Sequence, residues 1–144
     1  MADTKDYGAE PYVFNIEEAT KENNLFRVCK WTGNNFQVTL MAIEPGDDIG
    51  LEVHDDHDQF LRIEGGIGFV QMGDAPDNFT VEQDVEDGDA VIVPAGSWHN
   101  ITNTGANQLK IYSIYAHAEH AHGTIHETKE DAEVINFADV IKNV

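Results

Sequence analysis

Short runs of strand-forming residues, separated by turn signals, recur along most of the chain. In residues 36–43, for example, Phe36, Val38, Leu40 and Ala42 alternate with more polar neighbours and would share one face of a strand. Turn-forming residues interrupt the runs roughly every 8 to 12 residues, and about nine short strands at this spacing predict an all-β sandwich or barrel. The predicted strands cover 26–31, 36–43, 59–63, 67–72, 80–82, 90–93, 99–103, 109–115 and 133–135.

Two short helices are predicted outside the strands. Asn15 followed by Glu18 forms a capping-box pattern that begins a helix over 16–22, and Asn136 with Asp139 suggests a second helix near the end. The polar residues 1–10 are expected to be loose. A length of 144 residues with 41% hydrophobic residues suits a single domain over 1–144 with a hydrophobic core.

The charge balance and the cysteine count limit the partners and the compartment. Twenty-seven acidic residues against eight basic ones give a net charge of −19, which repels nucleic acid and anionic lipid. Cys29 is the only cysteine, so no intrachain disulfide can form. The sequence begins with no secretory signal and contains no apolar run of about 18 residues. We therefore expect a cytoplasmic protein without nucleic acid or membrane partners.

Residues 46–66 contain three side chains that can bind a metal. Glu52 and His54 are two residues apart, so in a strand they would face the same side. Asp-Asp-His-Asp at 55–58 predicts a tight polar turn, with His57 solvated. The chain is then expected to return as a strand that brings Gln59 beside His54.

Residues 88–103 supply a further imidazole, His99. Together with Glu52, His54 and Gln59 it forms a candidate set of two nitrogen and two oxygen ligands for a divalent metal. Two histidines and one carboxylate leave coordination positions open, which is typical of catalytic rather than structural sites. The alternative is that His54 and His99 are ordinary strand residues whose hydrogen bonds are satisfied within the sheet.

The spacing of the first segment resembles the first motif of the cupin family. That motif reads Gly, five residues, His-x-His, three or four residues, Glu, six residues, Gly. The chain has the same spacing in Gly46, Glu52, His54, Gln59 and Gly66. It departs in two identities, since Glu52 replaces the first His and Gln59 replaces the Glu.

The second segment resembles the second cupin motif in full. The motif reads Gly, five residues, Pro-x-Gly, two residues, His, three residues, Asn. The chain matches it with Gly88, Pro94, Gly96, His99 and Asn103.

The runs DIGLEVH at 48–54 and DQFLRIE at 58–64 and the segment GTIH at 123–126 resemble those of small single-domain bacterial cupins, some of them described as mannose-6-phosphate isomerase-like. The resemblance implies a double-stranded β-helix, a jelly-roll barrel with its core at about 36–115, terminal extensions and short terminal helices. It also implies a metal at the barrel mouth and a small-molecule ligand in the barrel. Because cupins include isomerases, dioxygenases and non-catalytic binding proteins, the fold does not give the reaction.

The two departures affect the expected metal. Glu52 in place of His makes the site harder and favours Mn, Fe or Zn, with Ni also compatible with the imidazoles. Gln59 is a weak neutral ligand, or alternatively a group outside the coordination sphere that orients a ligand or water.

Proton-transfer residues are not identified by a motif. The candidates are Tyr112, Tyr115, His122 and His126. The histidine-rich stretch 117–126 could line the barrel mouth, or it could be an exposed polar loop.

The predicted function is that of a metal-dependent enzyme acting on a small polar molecule, such as a sugar phosphate or a hydroxy- or keto-acid. The alternatives are a non-catalytic small-molecule-binding cupin and a non-haem iron dioxygenase. Arg62 and Lys110, the cations nearest in sequence to the site, do not form a convincing phosphate clamp. A homodimer is expected, because the apolar run 12–14 and the strand 26–31 could cover a sheet edge.

Overall fold

A computed structural model describes residues 2–133, which contain nine strands, helix α1, a helical segment at 129–133 and their connections. Helix α1 spans Ile16–Glu22, as predicted, and the Asn15 side chain accepts a hydrogen bond from the Glu18 backbone N–H at 2.9 Å. The strands are β1 Arg27–Thr32, β2 Gln37–Ile43, β3 Asp58–Gly65, β4 Ile67–Gly73, β5 Val81–Glu86, β6 Ala90–Val93, β7 Trp98–Asn103, β8 Leu109–Ala116 and β9 Ile125–His126.

Two antiparallel sheets form the fold. The larger has the order β6-β3-β8-β2-β1-β9, and the smaller has the order β5-β4-β7. Apolar side chains from both sheets form one buried cluster that includes Leu61, Ile63, Val70, Ile101 and Ile111. Alternate residues of β7 and β8 are buried, as strands with one face on a core require. The all-β prediction is therefore confirmed.

The predicted hairpin between residues 52 and 59 is wrong. Residues 46–52 instead run antiparallel to β7 through separate backbone contacts, with Glu52 bridged to His99 and Asp48 bridged to Thr102. Gln59 lies in β3 between Val93 of β6 and Tyr115 of β8. The polar turn at 55–58 therefore joins the edge of one sheet to the interior of the other.

The glycine pair at 65–66 is a corner between the sheets and not a hairpin turn, because β3 and β4 belong to different sheets. Gly66 has φ 87°, and a Cβ there would lie 2.9 Å from the backbone oxygen of Gln108. Both the left-handed conformation and the close approach of the backbone require glycine at this position.

Two segments within residues 2–133 are more ordered than predicted. Asp6 is buried and accepts hydrogen bonds from the backbone N–H groups of Gly8, Thr32 and Gly123, so the N-terminal segment is anchored. In the histidine-rich stretch 117–126, which could have been an exposed loop, the last two residues form β9 and pair with β1.

The final predicted elements are only partly described. Residues 129–133 are helical, so residue 133 is not in the predicted strand 133–135, and residues 134–135 and the helix at Asn136 and Asp139 lie outside the described residues. No helix within 2–133 is long and apolar enough to cross a membrane.

Candidate metal centre and ligand cavity

Glu52, His54 and His99 meet where the irregular segment 46–54 crosses β7. The backbones of Glu52 and His99 exchange two hydrogen bonds, of 3.1 and 2.9 Å, which place the two side chains together. Glu52 Oε1 lies 3.3 Å from His54 Nε2 and 3.4 Å from His99 Nε2. One ligand atom from each of the three residues lies within 4.8 Å of the others.

In both His54 and His99, a contact made by Nδ1 determines which way Nε2 points. His99 Nδ1 lies 3.0 Å from the backbone oxygen of Ser97, which can only accept, so this nitrogen carries a proton. His54 Nδ1 faces the carboxylate of Glu119 at 3.3 Å. Both Nε2 atoms can therefore present a lone pair toward Glu52, which is the arrangement that metal-binding histidines require.

The charges of the cluster reinforce one another. Burial favours the neutral form of Glu52, but the polar contacts to His54 and His99 outweigh it and hold the pKa of the carboxyl well below its usual range. Burial lowers the pKa of His54, yet the contacts with Glu119 and Glu52 reverse this and raise it to about 9. Without a metal, His54 is therefore protonated at neutral pH.

Gln59 and His99 each leave a buried polar atom without a hydrogen-bond partner among residues 2–133. Gln59 is 2% exposed, and its Nε2 donates to Ser113 Oγ at 2.8 Å, so its Oε1 is left unpaired. His99 Nε2 is close to Glu52 but is not aligned with it for a hydrogen bond. Because unpaired buried acceptors are costly, these atoms fit a site that a cation completes.

A second cluster of histidines and carboxylates adjoins Glu52, His54 and His99. His57, predicted to be solvated, is 5% exposed; its Nε2 lies 3.1 Å from Glu119 Oε2 and its Nδ1 lies 2.9 Å from Asp56 Oδ1. His117 faces the other oxygen of Asp56 at 3.5 Å. Strand alternation could have revealed His57, because it shares the inward parity of Gln59 and Leu61.

A cavity of about 550 Å³ opens beside Glu52 and Glu119 and is also lined by Arg27, His120 and His126. Arg27 and His126 are directly paired across β1 and β9, and Arg27 Nη1 lies 3.0 Å from His126 Nδ1. Arg27 was not among the predicted site residues, because only the long-range β1–β9 pairing brings it here.

Comparison with known proteins identifies the family. Residues 39–115, more than half of the chain, match the family model of the cupin domain.

The chain belongs to the cupin family.

The uncharacterized protein YrkC of Bacillus subtilis (strain 168) is 57% identical over 128 residues, covering 89% of this chain and 69% of YrkC. The crystal structure of BH2720 from Bacillus halodurans is 54% identical, has a TM-score of 0.89, and aligns over 90% of this chain and 98% of BH2720. A cupin-superfamily sugar phosphate isomerase from Silicibacter pomeroyi, 22% identical with a TM-score of 0.51 over 59% of this chain and 52% of its own, shares the fold alone.

The four candidate proton-transfer residues of this cupin occupy different environments. Tyr115 is 1% exposed beside the His54 ring, and burial raises the pKa of its hydroxyl well above the usual range. Tyr112 lies on the opposite, outer face of β8. His122 is exposed and contacts the Gly8 backbone oxygen at 2.7 Å. Of the four, only His126 lines the cavity beside Glu52.

Proposed function

We propose that this cupin binds a divalent metal ion through Glu52, His54 and His99, with Gln59 Oε1 as a weaker fourth ligand. The observation that carries the proposal is the convergence of three ligand atoms within 4.8 Å. Support also comes from the engagement of both histidine Nδ1 atoms by other acceptors and from the unpaired Gln59 Oε1. The donor set suits Zn, Mn, Fe or Ni.

The adjoining cavity favours an enzyme that acts on a small polar molecule, such as a sugar phosphate or a hydroxy- or keto-acid. A bound divalent ion would polarise a substrate oxygen as a Lewis acid. Glu52 and Glu119 both line the cavity, so a ligand there would contact the edge of the candidate centre. Of the side chains that line the cavity, Glu119 and His126 are the candidates for proton transfer. An isomerase-like reaction would use one of them as its acid or base.

Two other functions use the same site. Two histidines and one carboxylate form the facial arrangement found in non-haem iron oxygenases, which supports a dioxygenase if the metal is iron. A cupin that only binds its ligand would need the same cavity but no proton carrier. The identity of the metal and turnover, rather than geometry, distinguish these functions.

The metal proposal is tested by the metal content of protein purified without an affinity tag. His54→Ala and His99→Ala each remove one of two nitrogen ligands, so both variants should lose most of the metal. His122→Ala removes an exposed imidazole outside the cluster and is the matched control. Unchanged metal content in both the His54 and the His99 variants would reject the site.

The reaction is tested with diketones, catechols and sugar phosphates, each with Fe(II), Mn(II) and Zn(II) separately. Turnover that requires iron supports the dioxygenase, and turnover with a redox-inert metal supports the isomerase-like enzyme. Measurable binding of one compound without turnover of any favours the non-catalytic cupin.

A further inference from the structure

Arg27 is a buried cation without a counter-ion among residues 2–133. Its side chain lines the cavity beside Glu52, it is 5% exposed, and no carboxylate of the described chain lies within ion-pair distance of it. Arg62, by contrast, is paired with Glu64. A buried charge that no described residue neutralises is costly, so the position of Arg27 indicates a functional role.

The hydrogen-bonding capacity of Arg27 is also largely unused. A guanidinium has five N–H donors and no acceptor. Among the described residues one of these donors has a partner, through Nη1 and His126 Nδ1 at 3.0 Å, and Nε is buried without one. Because Arg27 can only donate, His126 accepts at Nδ1 and carries its own proton on Nε2. The Nε2 atom of His126 is buried and has no partner in the described part of the chain either.

The charge of the cavity selects the kind of ligand. Burial and the nearby Arg27 lower the pKa of His120 to about 3 and also lower that of His126, so both imidazoles are neutral at pH 7. Lys129 also lines the cavity, but it is held by Asp47 and Asp48. Arg27 is therefore the lining cation that no described carboxylate pairs with directly. Glu52, Glu119 and Glu133 line the same cavity, and their repulsion favours a monoanion over a phosphate dianion.

We propose that Arg27 binds the carboxylate of a small monoanionic ligand, a 2-hydroxy- or 2-keto-acid, whose neighbouring oxygen reaches the Glu52–His54–His99 centre. The second contact rests on the proposed metal function, whereas the carboxylate contact does not. A guanidinium binds a planar carboxylate through two parallel hydrogen bonds, and His126 supplies a neutral N–H beside it. The cavity volume of about 550 Å³ is in the range of small-molecule sites.

The first test is glycolate binding to the metal-loaded protein, measured by calorimetry. Arg27→Gln should weaken the affinity at least about tenfold, because hydrogen bonds to a charged group are lost. Arg27→Lys keeps the charge and should retain part of the affinity. Arg62→Gln is the matched control and should bind like the parent. Glycolate affinity of Arg27→Gln within twofold of the parent, at equal metal content, would overturn the proposal.

Thermal unfolding gives a second, independent readout. Without ligand, Arg27→Gln should unfold at the same or a higher temperature than the parent, because it removes an unpaired buried charge. Glycolate should raise the unfolding temperature of the parent more than that of Arg27→Gln at the same glycolate concentration. An equal rise in both proteins would contradict the assignment.

Two further probes separate the carboxylate site from the metal site. Acetate has a carboxylate but no second chelating oxygen, so its binding to His99→Ala should depend on Arg27 even if no metal is present. Glycolate binding that is lost in His99→Ala but retained in Arg27→Gln would uphold the metal and reject the carboxylate site. Inorganic phosphate binding more tightly than glycolate would overturn the choice of a monoanion.

Discussion

Replacing Glu119 by Gln should weaken metal binding about 10- to 100-fold without removing a metal ligand. Glu119 Oε2 lies 3.3 Å from His54 Nδ1 and 3.1 Å from His57 Nε2, so it orients His54 and increases the basicity of its other nitrogen. Glutamine keeps the shape but loses the charge and one accepting oxygen. At about 1.36 kcal/mol for each factor of ten, the expected loss is about 1.4 to 2.7 kcal/mol.

The size of this loss should depend on pH. The contacts with Glu119 and Glu52 raise the pKa of His54 to about 9, so at pH 7 a proton competes with the metal in the parent protein. Removing Glu119 lowers this pKa and relieves the competition, which offsets part of the loss. The difference between Glu119→Gln and the parent should therefore be larger at pH 9 than at pH 7.

The assay is a competition titration for Zn(II) against a chromogenic chelator at both pH values. Glu10→Gln makes the same chemical change at an exposed position and should leave the affinity unaltered. Affinity of Glu119→Gln within twofold of the parent at pH 9, or an equal loss in Glu10→Gln, would refute the role of Glu119 in positioning His54.

Four further predictions concern proton release on metal binding, the buried Asp6, the corner glycine Gly66 and the quaternary structure. Metal binding at pH 7 should release about one proton, because His54 has a pKa of about 9 and must lose its proton; a binding enthalpy that is independent of the buffer would contradict this. Asp6→Asn should lower the free energy of unfolding in urea by about 1–3 kcal/mol at pH 7. Although burial alone would raise the pKa of Asp6, its hydrogen bonds lower it, so this stabilisation is present above about pH 3.9 and is lost as the pH falls through the lower folded value. If the difference in unfolding free energy between Asp6→Asn and the parent were unchanged at pH 2, ionisation of Asp6 would not be its cause. Gly66→Ala should destabilise the fold by about 1–3 kcal/mol in the same assay, whereas Gly65→Ala, whose added Cβ would lie 3.7 Å from the Lys110 side chain, should cost much less. The predicted homodimer should sediment as a dimer at micromolar concentration, and a monomer would remove the prediction.

Local patterns were sufficient for most of the fold. The alternation in β7 and β8 matches strands that each have one buried face, and the capping pattern at Asn15 matches helix α1. The alternation predicted for β2 did not indicate its burial, because every residue of that strand is buried. The motif spacing also identified three residues that the fold brings together, Glu52, His54 and His99. These features depend on neighbours in the sequence or on a family pattern, so the sequence contains them.

Features that depend on distant partners were missed. Polar residues at 55–58 suggest a local hairpin, but β3 pairs with β6 and β8, which lie much later in the chain. Arg27 looks like any charged residue in a strand until β9 places His126 beside it. No local signal distinguishes an arginine that faces solvent from one that faces a cavity.

The most direct test of the metal centre is a crystal structure of the metal-loaded protein with anomalous data at the absorption edge of the metal. The account predicts one anomalous peak about 2.0–2.2 Å from a Glu52 carboxylate oxygen and from the Nε2 atoms of His54 and His99. A peak bound through the Nδ1 atoms, a peak at the cluster of Asp56, His57 and His117, or no peak in crystals that contain stoichiometric metal would contradict it.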